Sequence, residues 1–222
     1  MTESQFAARD ADFEEDLLDA EPVSQSAAIV RPVNFATSPL LFFRQFLASP
    51  KAVGSIIPTS QVTIDALLDP IDWSACRTFV EYGPGTGVFT RGILERGPAD
   101  MRVIAIDPNP VFVDHLRATL PDRRLTAVQG SAEAVEAILE RQGGRRADYI
   151  LSGLPFSTLP SGVDAAIVGA TERALVPGGA FLVYQYSLGV LPLLTAHFAQ
   201  VDVSRVWRCI PPVRLMRATK AG

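Results

Sequence analysis

The stretch "TFVEYGPGTGVF", Thr78–Phe89, decides the fold. "TFVEY" is rich in aromatic and β-branched residues and reads as a short buried strand. Gly83, Gly85 and Gly87 then allow a tight turn and let a ligand approach the backbone closely. "VFTRGILER" continues as a helix. The glycine spacing is G-x-G-x-G, with Val88 where the nicotinamide fingerprint places its third glycine, so the loop argues against a dehydrogenase. Asp107 ends the next apolar run, about 20 residues beyond the loop, where an acid can accept the ribose hydroxyls of an adenosine group.

Downstream, strands and helices alternate. "RVIAID" (Arg102–Asp107), "LTAVQG", "ADYILSG" and "AFLVYQYS" read as strands two to five. The helices between them are "PVFVDHLRATL", "SAEAVEAILERQ" and "GVDAAIVGATERAL". Continuous apolar strands alternating with amphipathic helices indicate a parallel sheet covered on both faces. The tail "VDVSRVWRCIPPVRLMRAT" reads as two helix-free strands, an antiparallel edge. The expected fold is therefore α/β and Rossmann-like, with a seven-stranded, mostly parallel sheet.

Upstream, the composition changes twice. Residues 1–21 hold eight acids and one base, a net of −7. The formal charge of the 222-residue chain is −4, so the remainder carries +3. Residues 1–36 read as an acidic, disordered tail. From Pro22 through Ile64 there is no Asp or Glu, and Arg31, Arg44 and Lys51 are the only charges. Within residues 37–58, Ser38 and Pro39 suit a helix start and Pro50 its end. On that helix Leu40, Phe42, Phe43, Phe46 and Leu47 share one arc, opposite Arg44. Such a face suits an anionic bilayer surface, or packing on the domain's own sheet. Residues 59–222 form the expected catalytic domain. Cys76 and Cys209 have no metal-ligand spacing and fit a reducing compartment. No run approaches the ~18 apolar residues that span a bilayer. The expectation is a cytoplasmic protein, peripheral on the inner membrane.

The glycine loop with Asp107 resembles the Rossmann-like S-adenosyl-L-methionine-dependent methyltransferases. That resemblance implies cofactor contacts from Glu81 at the methionine end, and from Tyr82, Gly83, Gly85, Thr86, Gly87, Asp107, Pro108 and Ser152. "GSAEAV" would line the adenine through Ser131 and Ala132, with Ser131 standing where many members carry Asp. "FFRQFLASPKAVGSIIPTS", with "SGLPF" and "VYQYS", resembles the bacterial phospholipid N-methyltransferases. The resemblance implies a membrane-docking helix, a segment covering the cofactor, and phosphatidylethanolamine as acceptor. Enzymes that methylate ornithine lipids share much of the pattern.

"SGLPFSTLP" also resembles the Asn-Leu-Pro-Tyr motif of ribosomal RNA adenine dimethylases. Gly153 occupies the Asn position, so the amide that accepts from adenine is missing and no nucleic-acid partner is expected; an rRNA adenine N6-methyltransferase-like or small-molecule methyltransferase is the alternative reading. Tyr184 and Tyr186 offer hydroxyls and ring faces for a methylated ammonium, or serve as core aromatics. Tyr186 lies closer to the strand end and is the preferred candidate. The Ser152 hydroxyl and the Leu154 carbonyl are further acceptors for amine hydrogens. Arg44, Lys51 and Arg214 are candidates for the lipid phosphate. His115 and His197 lie on helices and read as structural or exposed.

Overall fold

A computed structural model of the protein describes residues 61–207 and 212–222. The acidic tail and the expected membrane-binding residues Leu40, Phe42, Phe43, Arg44, Phe46, Leu47 and Lys51 lie outside the described residues, as does Cys209.

Helix α1 (Gln61–Leu68) leads into β1 (Thr78–Tyr82), α2 (Val88–Arg96) and β2 (Arg102–Asp107). Then follow α3 (Pro110–Thr119), β3 (Leu125–Gln129), α4 (Val135–Arg141), β4 (Ala147–Ser152), α5 (Val163–Ala174), β5 (Leu175–Gln185), α6 (Leu191–His197), β6 (Gln200–Val206) and β7 (Val213–Thr219). The sheet order is β3-β2-β1-β4-β5-β7-β6. Strands β1 to β5 pair in parallel, and β7 runs antiparallel between β5 and β6. The expected antiparallel C-terminal edge is present, with the last strand inserted before the penultimate one.

The pleat sorts the core into two faces. Tyr82, Ile106, Ile150, Phe181 and Val183 pack with Val135, Ile138, Ile167 and Val168 of α4 and α5. Phe79, Val103, Leu151 and Leu182 pack with Ile64, Leu68, Phe89 and Ile93 of α1 and α2. All five residues of β1 are buried, as a central parallel strand requires.

Two elements depart from the sequence reading. The expected helix at 131–142 divides into a 3-10 turn, Ala132–Ala134, and α4. Ser131 caps the turn by accepting the Glu133 N–H, which sets the break. Strand β5 starts at Leu175 rather than Ala180, through a bulge in its pairing with β4. Pro177 bars helix there, and Gly178 supplies a φ of 75°. No helix among the described residues is long and apolar enough to cross a membrane.

Candidate active site

The site begins at the C-terminal edge of the parallel strands. Gly83, Gly85 and Gly87 have φ of 64°, 54° and 80°, a region in which L side chains are strained. Their surroundings differ. A Cβ on Gly87 would lie 2.6 Å from Leu116 Cδ2 and 3.0 Å from Leu120 Cδ1, so Gly87 lets α3 pack against the loop. A Cβ on Gly85 would meet nothing within 4 Å. The backbone there borders open space, which suits close approach by a ligand. Thr86 is exposed at the turn between them.

Two buried acids flank this loop. Asp107 accepts the Asn109 N–H at 2.8 Å and the Gly85 N–H, so its carboxylate ties the end of β2 to the glycine turn. Burial pushes its pKa up to about 6, against the pull of those two amides. Glu81 lies on β1, on the same sheet face as Asp107. Thr90 Oγ1 donates to Glu81 Oε2 at 2.6 Å. Burial raises the Glu81 pKa to about 7; the Thr90 hydrogen bond opposes this and the Asp107 charge adds to it. Two buried carboxylates without a cation are costly unless a positively charged ligand joins them.

Beside the acids lies a mostly apolar cleft. Tyr82, Ile106, Pro108, Ser131, Ala132, Glu133 and Leu154 contribute to its lining. Tyr82 is held in place by a 3.2 Å hydrogen bond between its hydroxyl and Thr171 Oγ1. Apolar walls with few polar groups suit a purine ring. Glu133 is the residue the sequence reading missed. Ser131 Oγ donates to Glu133 Oε2 at 3.0 Å, so a carboxylate stands at the rim although position 131 itself is not acidic.

The turn after β4 holds the remaining candidates. Ser152 is fully buried, and its Oγ accepts the Leu154 N–H at 3.2 Å. The Leu154 carbonyl accepts the Phe156 N–H at 3.0 Å. Both groups thus shape the turn. Tyr184 and Tyr186, both candidates with Tyr186 preferred, differ in setting. Strand β5 ends at Gln185, so Tyr186 lies one residue beyond it and is exposed. Tyr184 is half-buried against Phe89, with ring centroids 4.6 Å apart. A Cβ on Gly153 would lie 3.0 Å from the Tyr184 hydroxyl and 3.1 Å from the Gly83 carbonyl. The structure thus brings the Tyr184 hydroxyl to the junction of the glycine loop and the β4 turn. His115 and His197 are exposed on α3 and α6, and no metal-ligand cluster exists among the described residues.

Three features fit S-adenosylmethionine: an open glycine turn, an acid pair for a cationic ligand, and an apolar cleft for a base. With the strand order they define a Rossmann-like methyl-transfer domain. A methyltransferase domain family model matches residues 79–179. The ornithine lipid N-methyltransferase of Singulisphaera acidiphila is 31% identical over 142 residues, 64% of this chain and 74% of that protein. An uncharacterized methyltransferase of Mycobacterium tuberculosis is 37% identical over 121 residues, 50% of this chain and 42% of that protein. A Burkholderia thailandensis 1,6-didemethyltoxoflavin-N1-methyltransferase, with S-adenosylhomocysteine bound, superposes with a TM-score of 0.63 at 19% identity. That match covers 86% of this chain and 93% of the other. The chain belongs to the class I S-adenosylmethionine-dependent methyltransferases, and its methyl donor is S-adenosylmethionine.

Proposed function

We propose that the protein methylates the primary amine of a membrane lipid headgroup, with phosphatidylethanolamine as acceptor and repetition leading towards phosphatidylcholine. The likeness to a lipid N-methyltransferase across 64% of this chain carries the acceptor class. S-adenosylmethionine supplies a methyl group on a sulfonium, and the amine nitrogen takes it with its lone pair. Glu81, ionised, holds the cofactor's cationic methionine end. Asp107 holds the ribose, and the cleft by Pro108, Ser131 and Ala132 holds the base.

The acceptor side rests on Tyr184. Its hydroxyl fills the space beside Gly153 where an asparagine amide would read a base edge. A phenol hydroxyl accepts one hydrogen from an aliphatic amine, and the ring next to Phe89 offers a face to the cation as methyl groups replace N–H donors. Burial disfavours the ammonium form, so the amine arrives with its lone pair available. The expected contact with the bilayer runs through residues 37–58.

A second reading, methylation of the ornithine lipid amine, is favoured by the name of the same relative. Lipid extraction from a host lacking phosphatidylcholine, expressing this chain with and without ornithine lipid synthesis, tests both. Mono-, di- and trimethylated phosphatidylethanolamine support the first reading, and methylated ornithine lipid the second. Unmethylated lipid in both hosts, from a chain that binds S-adenosylhomocysteine, would sink both.

A further inference from the structure

Six large apolar side chains are exposed among the described residues: Val62, Val88, Val111, Tyr186, Val203 and Trp207. Four of them share one edge of the sheet. Val88 follows the glycine loop after β1, Val111 opens the helix after β2, Tyr186 follows β5 and Trp207 follows β6. Strand β6 runs antiparallel to β7, which runs antiparallel to β5, so β6 points the same way as β1. Trp207 therefore stands on the edge that carries the cofactor loop. It lies roughly 19 Å from that loop across the sheet, four strand spacings away. At 70% exposure, Trp207 is the most exposed large apolar side chain described.

The charge at this corner is one-sided. Arg205 and Arg214 are direct cross-strand partners, and Arg214 in turn pairs with Gln185 on β5. Residues directly opposite on paired strands point to the same face, and like charges there are destabilising. No carboxylate among the described residues forms an ion pair with either arginine. The Arg205 guanidinium lies 4.5 Å from the Trp207 ring centroid, which orients both groups at the tip of the strand. Of the helices that open onto the same edge, α2 and α3 carry no acid in their first turns, while α4 and α5 carry Glu136, paired with Arg173, and Asp164. An anion at the arginines would offset their mutual repulsion, and an apolar layer beneath it would take the tryptophan. An anionic bilayer provides both at one depth.

We infer that the corner formed by Arg205, Arg214 and Trp207 is a docking surface for anionic lipid, which turns the cofactor edge of the sheet towards the membrane. The inference rests on the lipid reading above and adds to it a contact made by the folded domain itself. Arg205 and Arg214 meet lipid phosphates, Trp207 enters the headgroup boundary, and Tyr186, Val88 and Val111 complete the rim around the entrance to the site.

The chain has two tryptophans, Trp73 and Trp207. Trp73 stacks on Phe79 near the start of β1, at the opposite end of the strands. The full chain carrying Trp73→Phe therefore reports on Trp207 alone. The probe is vesicles of phosphatidylglycerol and phosphatidylcholine with acyl chains brominated near the headgroup. Strong quenching of Trp207 on anionic vesicles is expected, with little on pure phosphatidylcholine. Arg205→Gln should lower vesicle affinity about fivefold while S-adenosylhomocysteine affinity stays unchanged.

Unquenched Trp207 on vesicles that sediment with the chain overturns the docking surface and leaves lipid methylation standing. Quenching that ignores lipid charge overturns the role of the arginines. A Trp207 response to single-stranded RNA in place of vesicles overturns the lipid assignment. Quenching retained in a chain that methylates no lipid keeps the surface and removes the reaction.

Discussion

Thr90 Oγ1 lies 2.6 Å from Glu81 Oε2 and donates to a carboxylate that burial holds up at about 7. Glu81 thus changes charge near neutrality, where the proposed contact with the methionine end of the cofactor would feel it. Affinity for the cofactor and its product should rise with pH from about 6 to 8, because ionised Glu81 attracts the amino acid ammonium that both carry and neutral Glu81 does not. Titration calorimetry with S-adenosylhomocysteine across that range checks it. Glu81→Gln should flatten the profile at the weak end. Thr90→Val removes a group that lowers the Glu81 pKa, so the rise should move to higher pH.

The same group sets a stability trend of opposite sign. Its folded pKa lies above the unfolded value of 4.5, so the ligand-free fold is favoured below 4.5 and loses that advantage as pH climbs to about 7. A shift of that size corresponds to roughly 3 kcal/mol. Asp107, raised to about 6, acts in the same direction over a lower window. Urea unfolding of the ligand-free chain should give a lower midpoint at pH 8 than at pH 5, and Glu81→Gln should lessen the difference.

The glycines of the loop should separate by measurement. Gly87→Ala drives a methyl group into Leu116 and Leu120 at positive φ, and should cost about 1–3 kcal/mol of stability. Gly85→Ala meets no protein atom, so its larger effect should fall on cofactor affinity. Thermal melts with and without S-adenosylhomocysteine distinguish them. A Gly85→Ala variant with wild-type affinity would place the ligand elsewhere.

How far the sequence led depends on how local each signal was. The succession of strands one to five along the chain was legible because each is a continuous apolar run and each helix keeps its own period. The acids Glu81 and Asp107 were legible because a strand end fixes them relative to the glycines. Glu133 was not, since its place at the cleft follows from the Ser131 cap that turns Ala132–Ala134 into a 3-10 turn. The approach of Tyr184 to Gly153 depends on β5 lying beside β4 and on β5 ending before Tyr186, neither of which periodicity reveals. The Arg205–Arg214 pair depends on the register of a hairpin whose turn residues carry no fixed length signal.

Gly153 should be intolerant of any side chain. Gly153→Ala presses on the Tyr184 hydroxyl and the Gly83 backbone together, and the hydroxyl is the part able to yield. Methyl transfer should fall while S-adenosylhomocysteine affinity changes little. Tyr184→Phe should reproduce the loss without the steric term, by about tenfold to a hundredfold if its hydroxyl hydrogen-bonds the amine. Equal activity in Tyr184→Phe and wild type would leave the ring alone as the useful part, and Tyr184→Leu would then test that.

Asp107 and Glu133, proposed to meet the two halves of an adenosine group, should fail differently. Asp107→Ala removes the ribose acceptor and leaves the Asn109 and Gly85 amides without their carboxylate. Affinity for S-adenosylhomocysteine should drop by around 1–3 kcal/mol, with a loss of stability alongside. Glu133 is exposed at the cleft rim and bound only to Ser131, so Glu133→Gln should leave the fold intact. Its effect should appear as selectivity. A carboxylate accepts a hydrogen bond from the adenine amino group but repels the carbonyl of the inosine analogue, whereas glutamine's amide serves both. The ratio of adenosine to inosine analogue affinities should therefore fall severalfold in Glu133→Gln, and fall less in Ser131→Ala, which loosens the turn and the hydrogen bond that place Glu133 but keeps its carboxylate. A ratio that moves with Ser131 and ignores Glu133 would return the base contact to position 131.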